Sequence, residues 1–321
     1  MSPKPIPVIL DVDTGYDDAL AILLALGSSR LAIQGITCVA GNQRLPQVVL
    51  NTLTLLDAVG APPIPVAAGM DAPLLEELRD PSPLHGFDGM GDLGLPAPRR
   101  QAVAEHAVEL LHRLLRAATE PVQLIALAPL TNLALFLRMY PALRSNIRGI
   151  MVMGGTFLAA GNSSATAEFN IRQDPEAAAI VLESGLPVQL YTLDVFRDVQ
   201  LTRGEIDTLI ATGALHVQTP ARIAGRILDY VCNYFERDYG LIGDAGAVAG
   251  VIDPGGLTVA PHAITVELSG RIGRGQTVLD RRPTVQQARL TEWGAPAPHT
   301  IEVVTAVDAD RLKRLFLTAL T

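Results

Sequence analysis

Four carboxylates within eight residues are the part of this chain with the clearest chemical meaning. They are Asp11, Asp13, Asp17 and Asp18. No Lys or Arg between residues 4 and 30 neutralises them. Two like charges about 4 Å apart repel by roughly 4 kcal/mol at the effective dielectric of a protein surface. Such a cluster must hold a metal ion, hold a proton or be strained. A metal ion is favoured, because hard divalent cations prefer several carboxylate oxygens.

The local pattern predicts how these acids are held. Residues 8–13 are typical of a short buried strand, and side chains two apart on a strand share a face, so Asp11 and Asp13 point the same way. Residues 19–26 are strong helix formers, which places Asp17 and Asp18 in the first turn, where the helix dipole favours acids. Simple N-capping is the alternative, but a cap needs one acid and leaves the others unexplained.

Composition limits the class of protein. Hydrophobic residues make up 49% and charged residues 18% of the 321 residues, which is enough apolar material for fully buried strands. The net charge of −8 argues against a nucleic-acid surface, which would need a basic stripe. Cys38 and Cys232 lie in apolar context, so we expect core positions and a reducing compartment. We expect no signal peptide and no membrane span, hence a cytoplasmic protein with one domain over residues 1–321.

Strand-like and helix-like stretches alternate along the chain, which predicts an α/β fold with a mostly parallel, Rossmann-like sheet and helices on both faces. In such sheets ligands bind beyond the carboxyl ends of the strands. Asp13, Asn42, Thr131 and the loop after Met153 each follow a predicted strand and are expected to converge on one crevice. The Pro- and Gly-rich residues 71–100 are a candidate lid. No phosphate-binding loop or dinucleotide fingerprint follows the first strand, so a nucleotide cofactor is not expected.

Five segments resemble one known family. They are DVDTGYDDAL (residues 11–20), VAGN (39–42), LTN (130–132), VMGG (152–155) and AEFNI (167–171). Their order and spacing resemble the calcium-dependent nucleoside hydrolases, also called inosine-uridine preferring nucleoside N-ribohydrolases. The resemblance implies cleavage of the N-glycosidic bond of ribonucleosides to free base and ribose, a role in nucleoside salvage, and a homodimer or homotetramer.

The same resemblance implies roles for individual residues. Ca²⁺ would be bound by Asp13, Asp18, the main-chain carbonyl of Thr131, and Asp244. Asp13 would also be the base that deprotonates the calcium-bound water. The ribose 2′-hydroxyl would contact Asp17, the 3′-hydroxyl Asn170, and the 5′-hydroxyl Asn162 and Glu168. Asn42 and Met153 would line the floor beneath the sugar, with Asn42 counted among the catalytic residues, and Asp11 would order the other acids.

The chain departs from the family on the side of the nucleobase. The family usually has His-Asp-Pro near the last calcium ligand, whereas this chain has Gly243, Asp244 and Ala245. The missing His is a candidate proton donor to the departing base, and leaving-group activation is where purine and pyrimidine substrates diverge. Substitute candidates are His85, Tyr230, Tyr234 and Tyr239. His85 and Tyr234 are the preferred pair.

Two other functions remain open at this point. A haloacid-dehalogenase-like phosphatase also places Asp-x-Asp after its first strand, but it needs Gly-Thr where this chain has Thr14 and Gly15 in reversed order. A ribose- or nucleoside-binding homologue that has lost turnover is suggested by Gly243. Release of free sugar from ribosides would distinguish the hydrolase from both.

Overall fold

A nine-stranded sheet organises the computed structural model, which describes residues 4–79, 86, 88–213, 218–282 and 299–321. Its strands in chain order are β1 (Ile6–Val12), β2 (Leu31–Cys38), β3 (Val66–Ala68), β4 (Val122–Ala126), β5 (Ile147–Met153), β6 (Val188–Tyr191), β9 (Leu257–Val266), β10 (Thr277–Asp280) and β11 (Thr300–Val307). A separate antiparallel pair consists of β7 (Gln200–Thr202) and β8 (Tyr239–Leu241).

The helices fill the connections between strands. In chain order they are α1 (Tyr16–Gly27), α2 (Leu45–Ala58), α3 (Ala107–Ala117), α4 (Thr131–Met139), α5 (Phe169–Gln173), α6 (Pro175–Leu182), α7 (Leu193–Phe196), α8 (Arg203–Ala211), α9 (Pro220–Tyr234), α10 (Ala245–Ile252) and α11 (Ala309–Leu320). No helix among the described residues is long and apolar enough to cross a membrane.

The strand order is β10-β9-β11-β6-β5-β4-β1-β2-β3. Within the described part of this sheet, strands β1 to β6 and β11 pair in parallel, and the pairings of β9 with β10 and β11 are antiparallel. The predicted α/β fold, a single domain with a mostly parallel sheet, is confirmed. Two large apolar clusters that include sheet residues, and a small third one, form the core of the described residues.

The topology fixes where a ligand can bind. The chain moves from β1 to β2 and β3 on one side of β1, then returns to place β4 on the other side. This reversal opens a crevice at the carboxyl ends of β1 and β4, which is the usual ligand site of such sheets. Asp13 follows β1 directly and Leu127 follows β4 directly, so both lie at this crevice.

The candidate lid, residues 71–100, contains no helix or strand in its described part. Met90 and Leu93 are nevertheless buried in the core, and the side-chain amide of Asn51 donates to the carbonyl oxygen of Asp88 at 2.7 Å. This end of the loop is therefore anchored on α2. His85 lies outside the described residues, as does Trp293.

Candidate active site

Asp13 lies fully buried at the carboxyl end of β1 and is held by Asn42. The backbone N–H of Asn42 donates to Oδ2 of Asp13 at 2.6 Å, and its side-chain amide donates to Oδ1 at 3.2 Å. Gly41 allows this approach, because a Cβ at that position would collide with Oδ2 of Asp13. The segment VAGN therefore orients the first acid through a backbone that only Gly permits.

Gly41→Ala tests this arrangement. The added methyl group must displace the carboxylate of Asp13, so we expect kcat on a cleaved riboside to fall by roughly a hundredfold, in line with the cost of misplacing a reacting group by about 1 Å. Steady-state kinetics with circular dichroism to confirm folding would measure this. Gly204→Ala is a matched surface control, since Gly204 is exposed, has no positive φ and has no atom near its Cβ position, and it should retain kcat. Equal activity of both variants would contradict the role of Gly41.

Three carboxylates converge on one point. Asp17, Asp18 and Asp244 each offer an oxygen atom, and these atoms lie within 4.8 Å of one another. Asp18 is oriented by the backbone N–H groups of Asp13, at 3.3 Å, and Gly15, at 3.0 Å. Asp244, the residue just before α10, contributes the third oxygen atom. The predicted set of acids thus lies together, with Asp17 rather than Asp13 in the tightest group.

Burial makes this group of acids costly to ionise. Desolvation and then the charge of Asp17 raise the pKa of Asp18 to about 8. Desolvation, followed by the charges of neighbouring acids, also raises the pKa of Asp13 and that of Asp244. Nearby positive charge would reverse these shifts, since a cation favours the ionised form. The donor set consists only of oxygen, which suits a hard divalent ion, and a buried Oδ1 of Asp17 has no partner among the described residues. These residues therefore fit a metal ion.

Asp11 supports the site from below. Its Oδ1 accepts from the hydroxyl of Thr37 at 2.6 Å and from the side-chain amide of Asn132 at 2.8 Å. Asn132 also donates to the carbonyl of Cys38 at 3.1 Å, which joins the ends of β1, β2 and α4. Burial raises the pKa of Asp11 to about 6. This acid belongs to the framework and is not part of the pocket lining.

A second group of polar residues is held by α5. Glu168 caps this helix: Oε1 accepts from the N–H of Asn170 at 2.9 Å, and Oε2 accepts from Gly155 at 3.0 Å. The side-chain amide of Asn170 donates to the carbonyl of Leu127 at 2.9 Å, and Oδ1 of Asn162 accepts from the N–H of Phe169 at 2.8 Å. Burial raises the pKa of Glu168 to about 7. The alternation of Glu168 and Asn170 around Phe169 is therefore a helix start and not a solvated strand.

The loop that carries Asn162 is fixed by Asp194 of α7. The backbone N–H groups of Phe157, Leu158 and Ala159 donate to its carboxylate at 3.0, 2.7 and 2.8 Å. Three N–H donors on one carboxylate form a charge-assisted cluster that makes the loop rigid. Asp194 does not line the pocket and was not singled out from the sequence.

Asp194→Asn is expected to loosen this loop and to raise the KM for a riboside roughly tenfold, because three charge-assisted bonds become neutral and weaker. The change in kcat should be smaller, since the acids at β1 keep their contacts. Initial-rate kinetics would separate the two parameters. Asp198→Asn, an exposed position two residues after α7, is the matched control and should change neither value. An unchanged KM in the Asp194 variant would show that the loop is held by other means.

One pocket joins the two polar groups. Its lining comprises Tyr16, Asp17, Asn42, Leu127, Met153, Asn162, Glu168, Phe169, Asn170, Phe196 and Asp244. Seven of these were expected from the sequence. Asp13 and Asp18 are fully buried and adjoin the pocket through Asn42, whose side-chain amide also donates to Asp18 at 3.3 Å. The structure thus assembles one crevice from residues that are distant in sequence, including the predicted Asn42 and the loop after Met153.

The structure does not place the carbonyl of Thr131 in this lining. Thr131 begins α4 and its hydroxyl donates to Asp174 at 2.7 Å. Carbonyls in the first turn of a helix accept from the N–H four residues later and point along the helix. The backbone oxygen near the pocket is instead that of Leu127, because β4 ends one residue before it. The pocket lining therefore favours the carbonyl of Leu127, which accepts from Asn170, over the predicted carbonyl of Thr131.

Tyr234 is not brought to the pocket either. Its side chain is 47% exposed near the end of α9, where it packs against Tyr230 and Phe235 with ring centroids 6.2 and 5.2 Å apart. Asn233 and Tyr234 are on the exposed side of the last turn of α9, whereas Val231 and Cys232 of the same turn are buried. Four lining residues were missed from the sequence: Tyr16, Leu127, Phe169 and Phe196. Tyr16 and Phe169 lie inside the recognised motifs, so their place in the site could have been predicted from the sequence. Nothing in the sequence around Phe196 indicates a site.

Gly243 and Phe196 are packed together. Gly243 has φ of +56°, a left-handed conformation that favours glycine. A Cβ at this position would lie 3.0 Å from Cζ of Phe196 and 3.1 Å from Cβ of Asp17. The ring of Phe196 therefore occupies the space that a side chain at residue 243 would need.

A family model described as inosine-uridine preferring nucleoside hydrolase matches residues 8–314. The chain belongs to this family. Its membership confirms the resemblance stated above, and the chain is a nucleoside hydrolase rather than a phosphatase.

Other members of the family resemble the chain along most of its length. The pyrimidine-specific ribonucleoside hydrolase RihA of Salmonella enteritidis is 37% identical over 280 residues, covering 86% of this chain and 88% of RihA. An inosine-guanosine nucleoside hydrolase superposes with a TM-score of 0.89 at 33% identity, covering 98% of both chains. A purine-preferring ribonucleoside hydrolase from Gardnerella vaginalis gives 0.85 at 30% identity, with 98% of both chains covered. The names of these hydrolases span both classes of base.

Proposed function

We propose that this nucleoside hydrolase cleaves ribonucleosides with water at the described pocket, giving free base and ribose, and that Ca²⁺ is its resident ion. The proposal rests on one observation. Oxygen atoms of Asp17, Asp18 and Asp244 lie within 4.8 Å of one another, next to the polar residues that would bind the sugar. Ca²⁺ accepts six to eight oxygen ligands in flexible geometry, whereas Mg²⁺ demands a tighter octahedron. An all-oxygen site that also leaves room for a sugar diol suits the larger ion.

Asp18 and Asp244 from this group, joined by Asp13 and the carbonyl of Leu127, would hold the ion, and Asp17 would face both the ion and the sugar. When bound, a divalent cation lowers the pKa of nearby water and fixes its orientation. Asp13 is suited to accept the proton of the attacking water, because its carboxylate is buried and its orientation is set by Asn42. The remaining acids favour the positive charge that develops on the sugar in the transition state.

The ribose would be held by the polar residues of the pocket. The unpartnered Oδ1 of Asp17 is available to accept from the 2′-hydroxyl, and Asn170 lies across the pocket for the 3′-hydroxyl. Asn162 and Glu168 would contact the 5′-hydroxyl, with Met153 beneath the sugar. Such contacts hold the sugar in the reactive position, so that part of the binding energy lowers the activation barrier. None of these contacts supplies the proton that a neutral departing base needs. The candidate for that proton donor is His85, which lies outside the described residues.

A panel of purine and pyrimidine ribosides tests the proposal. The purified protein, loaded with Ca²⁺, should release free ribose from at least one member, and chelation should abolish the release. Binding without any release of sugar would favour the alternative function, a nucleoside-binding homologue. The matching 2′-deoxyribosides are the control and should react at least roughly a hundredfold more slowly, because a hydrogen-bonding site is left with unpaired buried groups.

A further inference from the structure

One buried side chain of α2 joins the turn that carries the acids to the candidate lid. Asn51 is 2% exposed. Its side-chain amide donates one hydrogen bond to the carbonyl oxygen of Thr14 at 3.0 Å and another to that of Asp88 at 2.7 Å. Its Oδ1 accepts from the side-chain amide of Gln47 at 2.8 Å. Both polar atoms of Asn51 are therefore used, and the bond from Gln47 fixes which end of the amide faces the two carbonyls.

The carbonyl oxygen of Thr14 belongs to the same peptide group as the N–H of Gly15. That N–H donates to Oδ2 of Asp18 at 3.0 Å. A peptide group is planar, so its C=O and its N–H point in opposite directions and can only turn together. Asn51 therefore holds one side of the plane whose other side orients Asp18. Hydrogen bonds in such a chain also polarise and strengthen one another.

The bond from Gly15 is the shortest of the three that Asp18 accepts among the described residues. The other two come from the N–H of Asp13 and the side-chain amide of Asn42, both at 3.3 Å. The Thr14–Gly15 peptide is thus the main support of this carboxylate, and its direction decides where the oxygen atoms of Asp18 lie.

The other end of the link is a short segment, residues 88–93, which we call the lid root. Oδ1 of Asp88 accepts from the N–H of Met90 at 2.7 Å, which closes a tight turn. Met90 and Leu93 are buried in the core, and Arg226 of α9 donates to the carbonyl oxygen of Leu93 at 2.6 Å. The lid root is therefore fixed to the core and to α9, so the link from α2 ends on a firm support.

We propose that Asn51 is a positioning residue, which orients Asp18 for the ion and ties that orientation to the lid root. The inference rests on the proposed function, because Asp18 is one of the proposed calcium ligands. Asn51 is not among the residues that line the described pocket, so it acts through the Thr14–Gly15 peptide and not by touching the ion or the sugar. Without this amide, the peptide loses the donor that sets its direction.

Asn51→Leu tests the role with little change in size and no change in charge, because leucine fills the same space without a donor. Isothermal titration should give a Kd for Ca²⁺ at least roughly tenfold above that of the wild type, the lower end of the range for residues that orient metal ligands. We expect kcat on a cleaved riboside to fall by a similar factor. A residue that only stabilised the fold would lower Tm and leave both values unchanged.

Asn146→Leu is the matched control for this variant. The side-chain amide of Asn146 donates to the carbonyl oxygen of Leu115 at 2.9 Å, so the same kind of bond is lost outside the pocket lining. This variant should keep the wild-type Kd for Ca²⁺ and the wild-type kcat. Wild-type values in a folded Asn51→Leu protein, or equal losses in both variants, would overturn the inference.

Hydrogen exchange measures the link without turnover and without an ion. In the metal-free protein, Asn51→Leu should speed exchange in residues 14–18 and in residues 88–93 together, by roughly three- to tenfold, the effect of about one lost hydrogen bond. Asn51→Asp has the shape of the native side chain but no N–H group, and it should give the same pattern if the leucine variant does not fold. Faster exchange in only one of the two segments, or in neither, would overturn the link.

The two proposals fail in different ways. Failure to bind Ca²⁺, or to release ribose from any riboside, would remove the proposed function, whereas exchange in the metal-free variants would still test the link. Release of ribose by the wild type together with wild-type Kd and kcat in Asn51→Leu would leave the hydrolase intact and remove only the role of Asn51.

Discussion

Asp13→Ala is expected to lose at least roughly a thousandfold of kcat on any riboside that the wild type cleaves, within the range attributed to a general base. The physical reason is that no other carboxylate has its orientation fixed by both groups of Asn42. The same change should weaken calcium binding, because it removes one oxygen ligand. Steady-state kinetics and isothermal titration with Ca²⁺ would measure the two effects.

The fold should survive this change. The hydrogen bond from the N–H of residue 13 to Asp18 uses the backbone and is retained in the variant. Asp207→Ala provides a matched control, since the side chain of Asp207 is 63% exposed on α8 and forms only a surface ion pair, with Arg203. Near-normal turnover by Asp13→Ala, with an unchanged circular dichroism spectrum, would remove Asp13 as the base.

Calcium should stabilise the protein more at pH 8 than at pH 5. Burial raises the pKa of Glu168 to about 7 and that of Asp18 to about 8 in the folded protein. A carboxyl with a raised folded pKa stabilises the fold below its unfolded pKa of about 4 and loses that contribution as the pH rises through the folded value. The metal-free protein should therefore become less stable between about pH 4 and pH 8. Calcium, if it is the resident ion as proposed, would bind the ionised acids and offset this loss.

The stabilisation by calcium should be large enough to measure as a rise in Tm. Ca²⁺ at a hundred times its Kd should add about 2.7 kcal/mol to the free energy of unfolding, which corresponds to about 4 °C in Tm for a domain of this size. Differential scanning fluorimetry with Ca²⁺ or chelator, at pH 5 and pH 8, would measure the shift. Asp244→Asn serves as the control and should abolish most of the calcium effect at pH 8. Equal shifts at both pH values would contradict the linkage between the ion and the buried acids.

Local sequence was sufficient for the acidic half of the site. Asp11 and Asp13 share a strand face, and Asp17 and Asp18 lie in the first turn of the next helix; both relations are set by the geometry of a few consecutive residues. The alternating pattern also predicted that Asn42 and the loop after Met153 would meet Asp13, because parallel strands end at one edge. The described pocket contains Asn42 and residues of that loop, and Asp13 adjoins it through Asn42.

The carbonyl at the end of β4 shows where local reasoning failed. Thr131 follows that strand closely in sequence, yet three residues separate it from Leu127, and α4 begins at Thr131 itself. The exact residue at which a strand stops and a helix begins is the weakest part of any sequence prediction. Which backbone oxygen faces the pocket depends on that single boundary.

The side of the pocket that would face the base could not be predicted from local sequence either, because residues far apart in the chain form it. Phe196 and Gly243 are 47 residues apart in sequence, and their contact requires α7 and the start of α10 to pack at the same point. The absence of a His at residue 243 was visible in the sequence, but what fills its place was not. Tyr234 was selected for its chemistry, whereas the last turn of α9 directs it to solvent.

The amino-acid sequence by itself determined the fold class, the family and the acids of the candidate metal site, since these follow from short-range periodicity and from motifs of a few residues. Tertiary structure alone decided that Leu127 supplies the carbonyl at the pocket and that Phe196 closes the space beside Gly243. The reason is physical: strand faces and helix turns are fixed within a few residues, whereas the wall facing the base is made by packing between elements that are distant in the chain.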